Sequence, residues 1–354
     1  MKEKIIVVGG YGQVGKVICD ELGKLYPYKV YAAGRSFQKA EQFSVRTGRK
    51  VLPLQLDVNE PIAGDFFRDV SMVVMCLDLQ NTEFVHSCVN HQVDYIDITA
   101  DYSVMSKIQE IRPAESTVIL SVGLAPGITN MLVKQGKNQL DQVDSADIYI
   151  LLGLGETHGR AAIEWTVDHL NADFSVFEQG HRKQVTSFSD GKRIDFSERL
   201  GTKKAFRFNF SDQHVLPQTL GLPSVSTRLC FDSAMVTSLL ASLKRLGLLQ
   251  WIKHPLIRKK VVDLFEKSQR GSEIYVAKVD VKGQLNGQKV RYQGAIRGEK
   301  EFVATGKVAA YVAKNVYACH TPPGVFHMEE LFQPTDLFTD LKDILSFDEK
   351  ILDA

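Results

Sequence analysis

The apolar residues of this chain change their spacing several times, and each change marks an element. Ile5-Ile6-Val7-Val8 is a short continuous apolar run, and residues 13–25 then carry apolar side chains at helical spacing. The alternation continues, with strands predicted at 29–33, 50–56, 72–77, 93–98 and 117–122, and helices at 38–47, 62–68, 83–91 and 105–111. Short apolar strands interleaved with amphipathic helices make a parallel sheet, because each right-handed crossover returns the chain to a neighbouring strand in the same direction. The fold class read from this is α/β: a Rossmann-like, doubly wound parallel sheet over residues 1–127.

After Gly127 the pattern shifts. Helices are expected at 128–140 and 160–170, a strongly apolar strand at 145–154, a strand-rich middle, and helices at 232–249 and 257–268. Residues 274–284 and 288–297 flank Leu285-Asn286-Gly287, where Asn-Gly supplies the positive φ angles of a tight hairpin. Tyr275, Ala277, Val279 and Val281 alternate with Val276, Lys278, Asp280 and Lys282, so one apolar sheet face needs covering by helices or a second copy. Residues 302–318 form a helix with small residues at Ala304, Gly306, Ala309, Ala310 and Ala313, and a last helix is predicted at 338–345 after Pro322-Pro323-Gly324. We therefore expect a second α+β domain for substrate and dimerisation, 128–301, inserted before C-terminal helices, 302–354, that return to the first domain. A homodimer through the second domain's sheet is expected.

The first strand leads into Gly9-Gly10-Tyr11-Gly12-Gln13-Val14-Gly15, in which Gly10, Gly12 and Gly15 fit G-x-G-x-x-G between a strand and a helix. Gly10 permits the tight turn, Gly12 lets backbone approach a pyrophosphate, and Gly15 lets helix and sheet pack closely. Gln13 and Val14 open the helix, whose N–H groups face the phosphates. The second strand ends Gly34-Arg35-Ser36 with no acid for a ribose 2′-hydroxyl; Arg35 and Ser36, with Lys39 nearby, suit a 2′-phosphate, so NADP(H) is preferred to NAD(H). Strand order sets Asp57 and Val58 near the adenine, and Cys76 and Leu77, followed by Asp78, near the middle of the cofactor.

Composition narrows the partners. A chain of 354 residues exceeds one ordinary core, and 43 basic residues against 42 acidic ones give no net field for nucleic acid or an anionic membrane. The expected partner is a small-molecule substrate, with no nucleic acid and no membrane. Met1-Lys2-Glu3-Lys4 runs straight into a strand and no stretch is long and apolar enough for a span, so a cytoplasmic location is expected. Cys19, Cys76, Cys88, Cys230 and Cys319 are widely spaced and suit reduced thiols. His86, Cys88 and His91 do not share a helical face, and no metal is expected.

Three further groups bear on chemistry. Asp101 and Tyr102 follow the fifth strand at the ligand end and are candidate proton carriers, although Asp at a helix entry also caps it. Pro126 and Gly127 turn the chain into a helix whose start offers N–H groups to a substrate carboxylate, or make a plain strand-to-helix turn. His158 and Arg160 lie in a polar loop entering a second helix, as proton exchanger and carboxylate anchor or as helix caps.

In Gly10-Tyr11-Gly12-Gln13-Val14-Gly15, Gly34-Arg35-Ser36, Val93-Asp94-Tyr95-Ile96-Asp97, Gly123-Leu124-Ala125-Pro126-Gly127 and the tail from Ala304 to Val325, the chain resembles the saccharopine dehydrogenase family. The resembling branch includes saccharopine reductases and carboxynorspermidine synthases. The resemblance implies a Rossmann-like domain, a mixed α/β domain for substrate and dimerisation, and NAD(P)(H) chemistry at a carbon–nitrogen bond. Where saccharopine reductases look like Gly-Leu-Asp-Pro-Gly-Ile-Asp-His, this chain has Ala125, Thr129 and Asn130 in place of both acids and the histidine, so the lysine-pathway substrate does not carry over. The leading reading is an NADP(H)-dependent oxidoreductase that reduces an imine or oxidises an amino acid derivative. The alternatives are an NADP(H)-dependent ketone, enoyl or quinone reductase and a non-catalytic NADP(H)-sensing protein.

Overall fold

The computed structural model describes residues 2–156, 159–196, 200–267, 271–319 and 321–353. The chain begins with β1 (Lys4–Val8), α1 (Gln13–Leu25), β2 (Val30–Gly34), α2 (Phe37–Arg46), β3 (Val51–Gln55), β4 (Val70–Met75), α3 (Glu83–Asn90), β5 (Asp94–Asp97), α4 (Tyr102–Ile108) and β6 (Thr117–Leu120). The helix expected at 62–68 is a 3₁₀ segment, Gly64–Asp69. There follow α5 (Thr129–Asn138), β7 (Gln142–Leu152), α6 (Arg160–His169), β8 (Asp173–Glu178), β9 (His181–Thr186), β10 (Lys192–Asp195), β11 (Thr202–Arg207), α7 (Asp212–Thr219), β12 (Val225–Phe231), α8 (Ala234–Arg245), α9 (Pro255–Lys267), β13 (Ile274–Leu285) and β14 (Gln288–Glu299). The tail holds α10 (Glu301–Ala318), β15 (Gly324–His327), α11 (Met328–Leu331), α12 (Pro334–Asp340) and β16 (Leu345–Asp353). Two compact units result, one of residues 1–127 with 302–333, the other of 128–301 with 334–354.

The first unit is a seven-stranded sheet in the order β15-β6-β5-β4-β1-β2-β3, with every pairing parallel. The order reverses at β1, so the crevice at its C-terminal end is the topological switch point where open α/β sheets take ligands. In α10 of this unit, a Cβ on Gly306 would lie 2.6 Å from the Val17 Cβ of α1, which is the close packing the small-residue tail permits. The strand β15 is not legible in the sequence, since the four residues from Gly324 that follow Pro322-Pro323 are too short to show a period.

At the end of β15, His327 is 2 % exposed and bridges two elements. Its Nδ1 lies 2.7 Å from the Ser121 hydroxyl, and its Nε2 lies 2.7 Å from the Gln109 amide nitrogen, which makes Nε2 the acceptor and Nδ1 the protonated nitrogen. Burial pulls the ring pKa down to about 4.

The second unit has the order β10-β11-β12-β7-β13-β14-β16, with only β12 and β7 parallel. The hairpin turns at Asn286 and Gly287, both at positive φ, with Leu285 opposite Gln288. Against it lies α5, where a Cβ on Gly136 would come 2.5 Å from the Tyr292 ring. The expectation of one apolar and one polar sheet face needs correction, because Asp147 and Asp280 of the polar rows are themselves buried. Arg228, 1 % exposed, reaches Asp147 at 3.1 Å and Asp190 at 2.6 Å. Burial alone would raise the Asp147 carboxyl, yet the Ser226 hydroxyl, Lys192 and Arg228 hold it below its ordinary value.

The tail also departs from expectation. Residues 334–354 belong to the second unit rather than returning to the first, and 338–345 is not one helix. The helix α12 ends at Asp340, and β16 adds antiparallel to the edge of β14. Its sequence carries little strand signal of its own, so pairing with β14 decides its conformation.

His327 yields a pH prediction. Its folded pKa lies below the ordinary 6.5, so the stability it contributes is present above pH 6.5 and is lost as pH falls towards 4, a change on the order of 3 kcal/mol. Denaturant titrations of the chain and of His327→Gln are expected to show a stability gap that narrows from pH 7 to pH 4.5; a constant gap contradicts the assignment.

Candidate functional site

The site is built on the C-terminal ends of the first unit's strands. Gly9 leaves β1 at φ +77°, and a Cβ on Gly10 would lie 2.7 Å from both the Ala32 Cα of β2 and the Val7 carbonyl oxygen. A Cβ on Gly15 would lie 2.7 Å from the Gly10 Cα, so α1 starts close against the turn that feeds it. At Gly12 the nearest atom to such a Cβ is the Gly9 oxygen at 3.1 Å, and no side chain caps α1. A side chain on Gly12 would therefore enter the space before α1, where an anionic pyrophosphate suits the helix terminus. Gln13 and Val14 form the first turn, both part-exposed.

Beside this turn, Tyr11 covers the end of β2. A Cβ on Gly34 would come 2.7 Å from the Tyr11 ring, and the Tyr11 hydroxyl accepts the Ser36 backbone N–H at 3.1 Å. The Ser36 side chain caps α2 by accepting the Lys39 N–H. Arg35 is exposed, and among the described residues no carboxylate pairs with it, which leaves the guanidinium open to an anion. Asp57 stands beyond β3, which pairs with β2, and turns its carboxylate onto the backbone and side chain of Asn59 at 3.1 Å. Val58 follows it, part-exposed.

On the other side of β1, Cys76 donates its N–H to the Val8 carbonyl, and burial, with Asp97 adding, pushes its thiol pKa up, so it is a neutral thiol. Leu77 is 43 % exposed and stands against Gly9, an apolar lip on the crevice. Beyond β4 and β5 three acids approach one another. Asp97 is 1 % exposed and accepts the Tyr95 hydroxyl and the Thr99 N–H, each at 2.7 Å. Burial nevertheless pushes its pKa up to about 6, with Asp78 adding to the effect. Asp78 takes the Thr99 hydroxyl at 3.5 Å; desolvation first, and then the charge of Asp101, raise its carboxyl pKa although the side chain still meets solvent. Asp101 accepts the Ser103 N–H at 2.8 Å as the cap of α4, and Tyr102 opens that helix. The capping reading of Asp101 is thus realised in its geometry.

The remaining expected residues are arranged differently. Pro126 and Gly127 are buried, Gly127 at φ +135° with the Ser121 oxygen 3.0 Å from where its Cβ would be. At the start of α5 in the second unit, Thr129 and Asn130 are fully buried. There Asp212, fully buried, bonds the Thr129 and Thr227 hydroxyls and the Gln213 N–H, and burial raises its pKa to about 6. An internal carboxyl group thus meets the Thr129 side chain at the start of α5. Arg160 is not an open anchor either, because its guanidinium meets Glu164 at 2.9 Å, Asp263 at 3.3 Å and Glu266 at 2.7 Å. His158 lies outside the described residues. Sequence reasoning missed the packing of Tyr11 on the end of β2 and, although it placed Asp78 near the middle of the cofactor, the neighbouring Thr99 and Asp101; the only signals were their places beside the glycine turn and after β4. Among the described residues no three His, Cys, Asp or Glu side chains converge as a metal site. His91 instead stacks on Phe67 at 4.7 Å.

Residues 5–120 match the family model described as the saccharopine dehydrogenase NADP binding domain. The first unit thus carries a saccharopine dehydrogenase NADP-binding domain over about a third of the chain. The chain is an NADP-dependent oxidoreductase, and the glycine turn lies within its NADP-binding domain. Apo saccharopine dehydrogenase (L-Glu forming) from Saccharomyces cerevisiae has the same fold at 15 % identity, with a TM-score of 0.71 over 99 % of this chain and 100 % of that one. A probable dehydrogenase from Thermotoga maritima matches at 10 % identity and TM-score 0.45, over 96 % and 93 % of the two chains. DAP dehydrogenase of C. glutamicum, in complex with DAP, matches at 11 % identity and TM-score 0.44, over 97 % and 99 %. No described helix is long and apolar enough to cross a membrane.

Arg35→Ala is expected to weaken NADPH binding by about 10- to 100-fold, the loss of charged hydrogen bonds, and to leave NADH binding within about twofold. Equal losses for both nucleotides in fluorescence titrations contradict the phosphate role. Tyr11→Phe frees the Ser36 N–H and is expected to cost NADPH about threefold to tenfold by the same titration.

Proposed function

We propose that this chain is a member of the saccharopine dehydrogenase family and works at a carbon–nitrogen bond, reducing an imine formed from an amine and a keto acid or aldehyde, or oxidising an amino acid derivative. In this reading Gly10, Gly12, Gln13, Val14 and Gly15 hold the pyrophosphate and Arg35 with Ser36 the 2′-phosphate. Asp57 and Val58 flank the adenine, and Cys76 and Leu77 flank the middle of the cofactor. The bound dinucleotide supplies the hydride.

The observation that carries the proposal is the group of acids beyond β4 and β5. A carbon–nitrogen double bond accepts hydride readily only when protonated, and the resulting iminium is a cation. Asp78, with its raised pKa and its contact with solvent, is suited to carry that proton, while Asp97 and Asp101 add negative charge that favours the cation. The same charge opposes an oxyanion developing from a ketone, enone or quinone, and so favours the C–N reading over those alternatives. Asp101 is held as a helix cap, so in this reading the proton is assigned to Asp78.

With an amine and keto-acid mixture that consumes NADPH, Asp78→Asn is expected to lower kcat by about 100-fold or more and to change the KM for NADPH less than about threefold. Because the protonated carboxyl is the donor for reduction, the wild-type rate falls as pH rises through the raised Asp78 pKa, and the variant loses that limb. An unchanged kcat and pH profile in the variant contradicts the proposal.

A further inference from the structure

The near-balance of charge over the whole chain conceals one segment of the second unit. Residues 234–267, comprising α8, a 3₁₀ segment at Leu248–Lys253 and α9, hold seven Lys and Arg against two acids, whereas the remaining 320 residues hold 36 basic and 40 acidic ones. Both acids of the segment, Asp263 and Glu266, are engaged by Arg160, and Arg258 is engaged by Asp168 at 2.7 Å. Among the described residues, Arg245, Lys253, Lys259, Lys260 and Lys267 have no ion-pair partner.

Between these cations, large apolar side chains face solvent. On α8, Met235 and Leu239 lie four residues apart on one stripe, 79 % and 56 % exposed, and Leu246, which caps the helix end seven residues on, is 70 % exposed. Trp251 is 57 % exposed on the 3₁₀ segment. On α9, Leu256 and Leu264 are 68 % and 65 % exposed and lie eight residues apart, with Lys260 between them on the same stripe. The buried faces are separate, with Thr237 and Leu240 of α8 and Val262 of α9 turned inward.

We propose that the face made by α8, the 3₁₀ segment and α9 docks on an anionic lipid surface. Charge complementarity selects this occupant. A two-fold contact between copies through this face would set its excess of positive charge against itself. A protein interface concentrates apolar residues at its centre and polar ones at its rim, whereas on α9 Lys260 lies within the apolar stripe, between Leu256 and Leu264. That arrangement suits a helix lying in a membrane interface, where leucine, methionine and tryptophan enter the acyl boundary while lysine stems snorkel to the phosphates. Such attachment leaves the helices intact and needs no spanning segment.

Co-sedimentation of the full chain with phosphatidylcholine vesicles, with and without about one-third phosphatidylglycerol, tests this at low and high salt. Binding is expected only with the anionic lipid and is expected to weaken with salt. Trp251 is one of two tryptophans, so vesicle binding should shift the emission to the blue, and the shift should vanish in Trp251→Phe. Lys259→Glu with Lys260→Glu should lower partitioning more than about tenfold while NADPH binding and circular dichroism stay as in the parent chain. The proposal is overturned by absence of binding at low salt, by equal binding to neutral vesicles, or by partitioning unchanged in the double variant. It is also overturned if Leu239→Ser only converts a dimer to a monomer, or if poly-glutamate binds as strongly as the vesicles without any shift of Trp251 emission.

Discussion

The first unit depends on the close approach of backbone at the β1–α1 turn. Gly10 passes against β2, and Gly15 passes against Gly10, at separations that leave no room for a Cβ. Those approaches fix where α1 begins, and therefore where its N–H groups and dipole point. The same helix is clasped on another face through Gly306 of α10, so a residue near the end of the chain helps set the entrance to the cofactor crevice. Tyr11, carried by the turn itself, then reaches the end of β2 and holds the Ser36 backbone beside Arg35. One constraint on chain spacing thus orders the phosphate end of the site.

The parts of the fold set by local periodicity were legible in the sequence. The first six strands of the parallel sheet, the Asn286-Gly287 hairpin and α10 each carry a repeating apolar pattern or a turn of defined chemistry. Elements set by long-range pairing were not. The strands β15 and β16 exist because β6 and β14 offer them open edges, and neither has a pattern that distinguishes it from a loop. Partnership explains the site residues in the same way. Arg160 looked like an anchor until α9 supplied two of its three acids, and the start of α5 looked open until α7 brought Asp212 to it. A sequence shows which groups can bind an anion; only the fold shows which of them already do.

Charge is distributed with more purpose than its sum suggests. The ends of β4 and β5 concentrate carboxyl groups, and burial first, then their mutual repulsion, raises the pKa values of Asp78 and Asp97, which suits the proposed transfer of a proton beside a cation. The second unit buries Arg228 between Asp147 and Asp190, which neutralises the polar rows of its sheet. Its helices α8 and α9 carry the opposite excess on their outside. A chain of nearly zero net charge therefore presents an acid-lined crevice in one unit and a cationic, apolar-studded surface in the other.

In the proposed reaction the hydride from NADPH goes to a carbon–nitrogen bond. NADPH consumption by the purified chain, followed by absorbance against pooled amines with keto acids and aldehydes and separately against pooled ketones, enones and quinones, tests it most directly. Turnover is expected to need both amine and carbonyl partner, with a secondary amine formed in step with NADPH lost. Turnover on the second pools alone, or tight NADPH binding with no turnover on any pool, contradicts it.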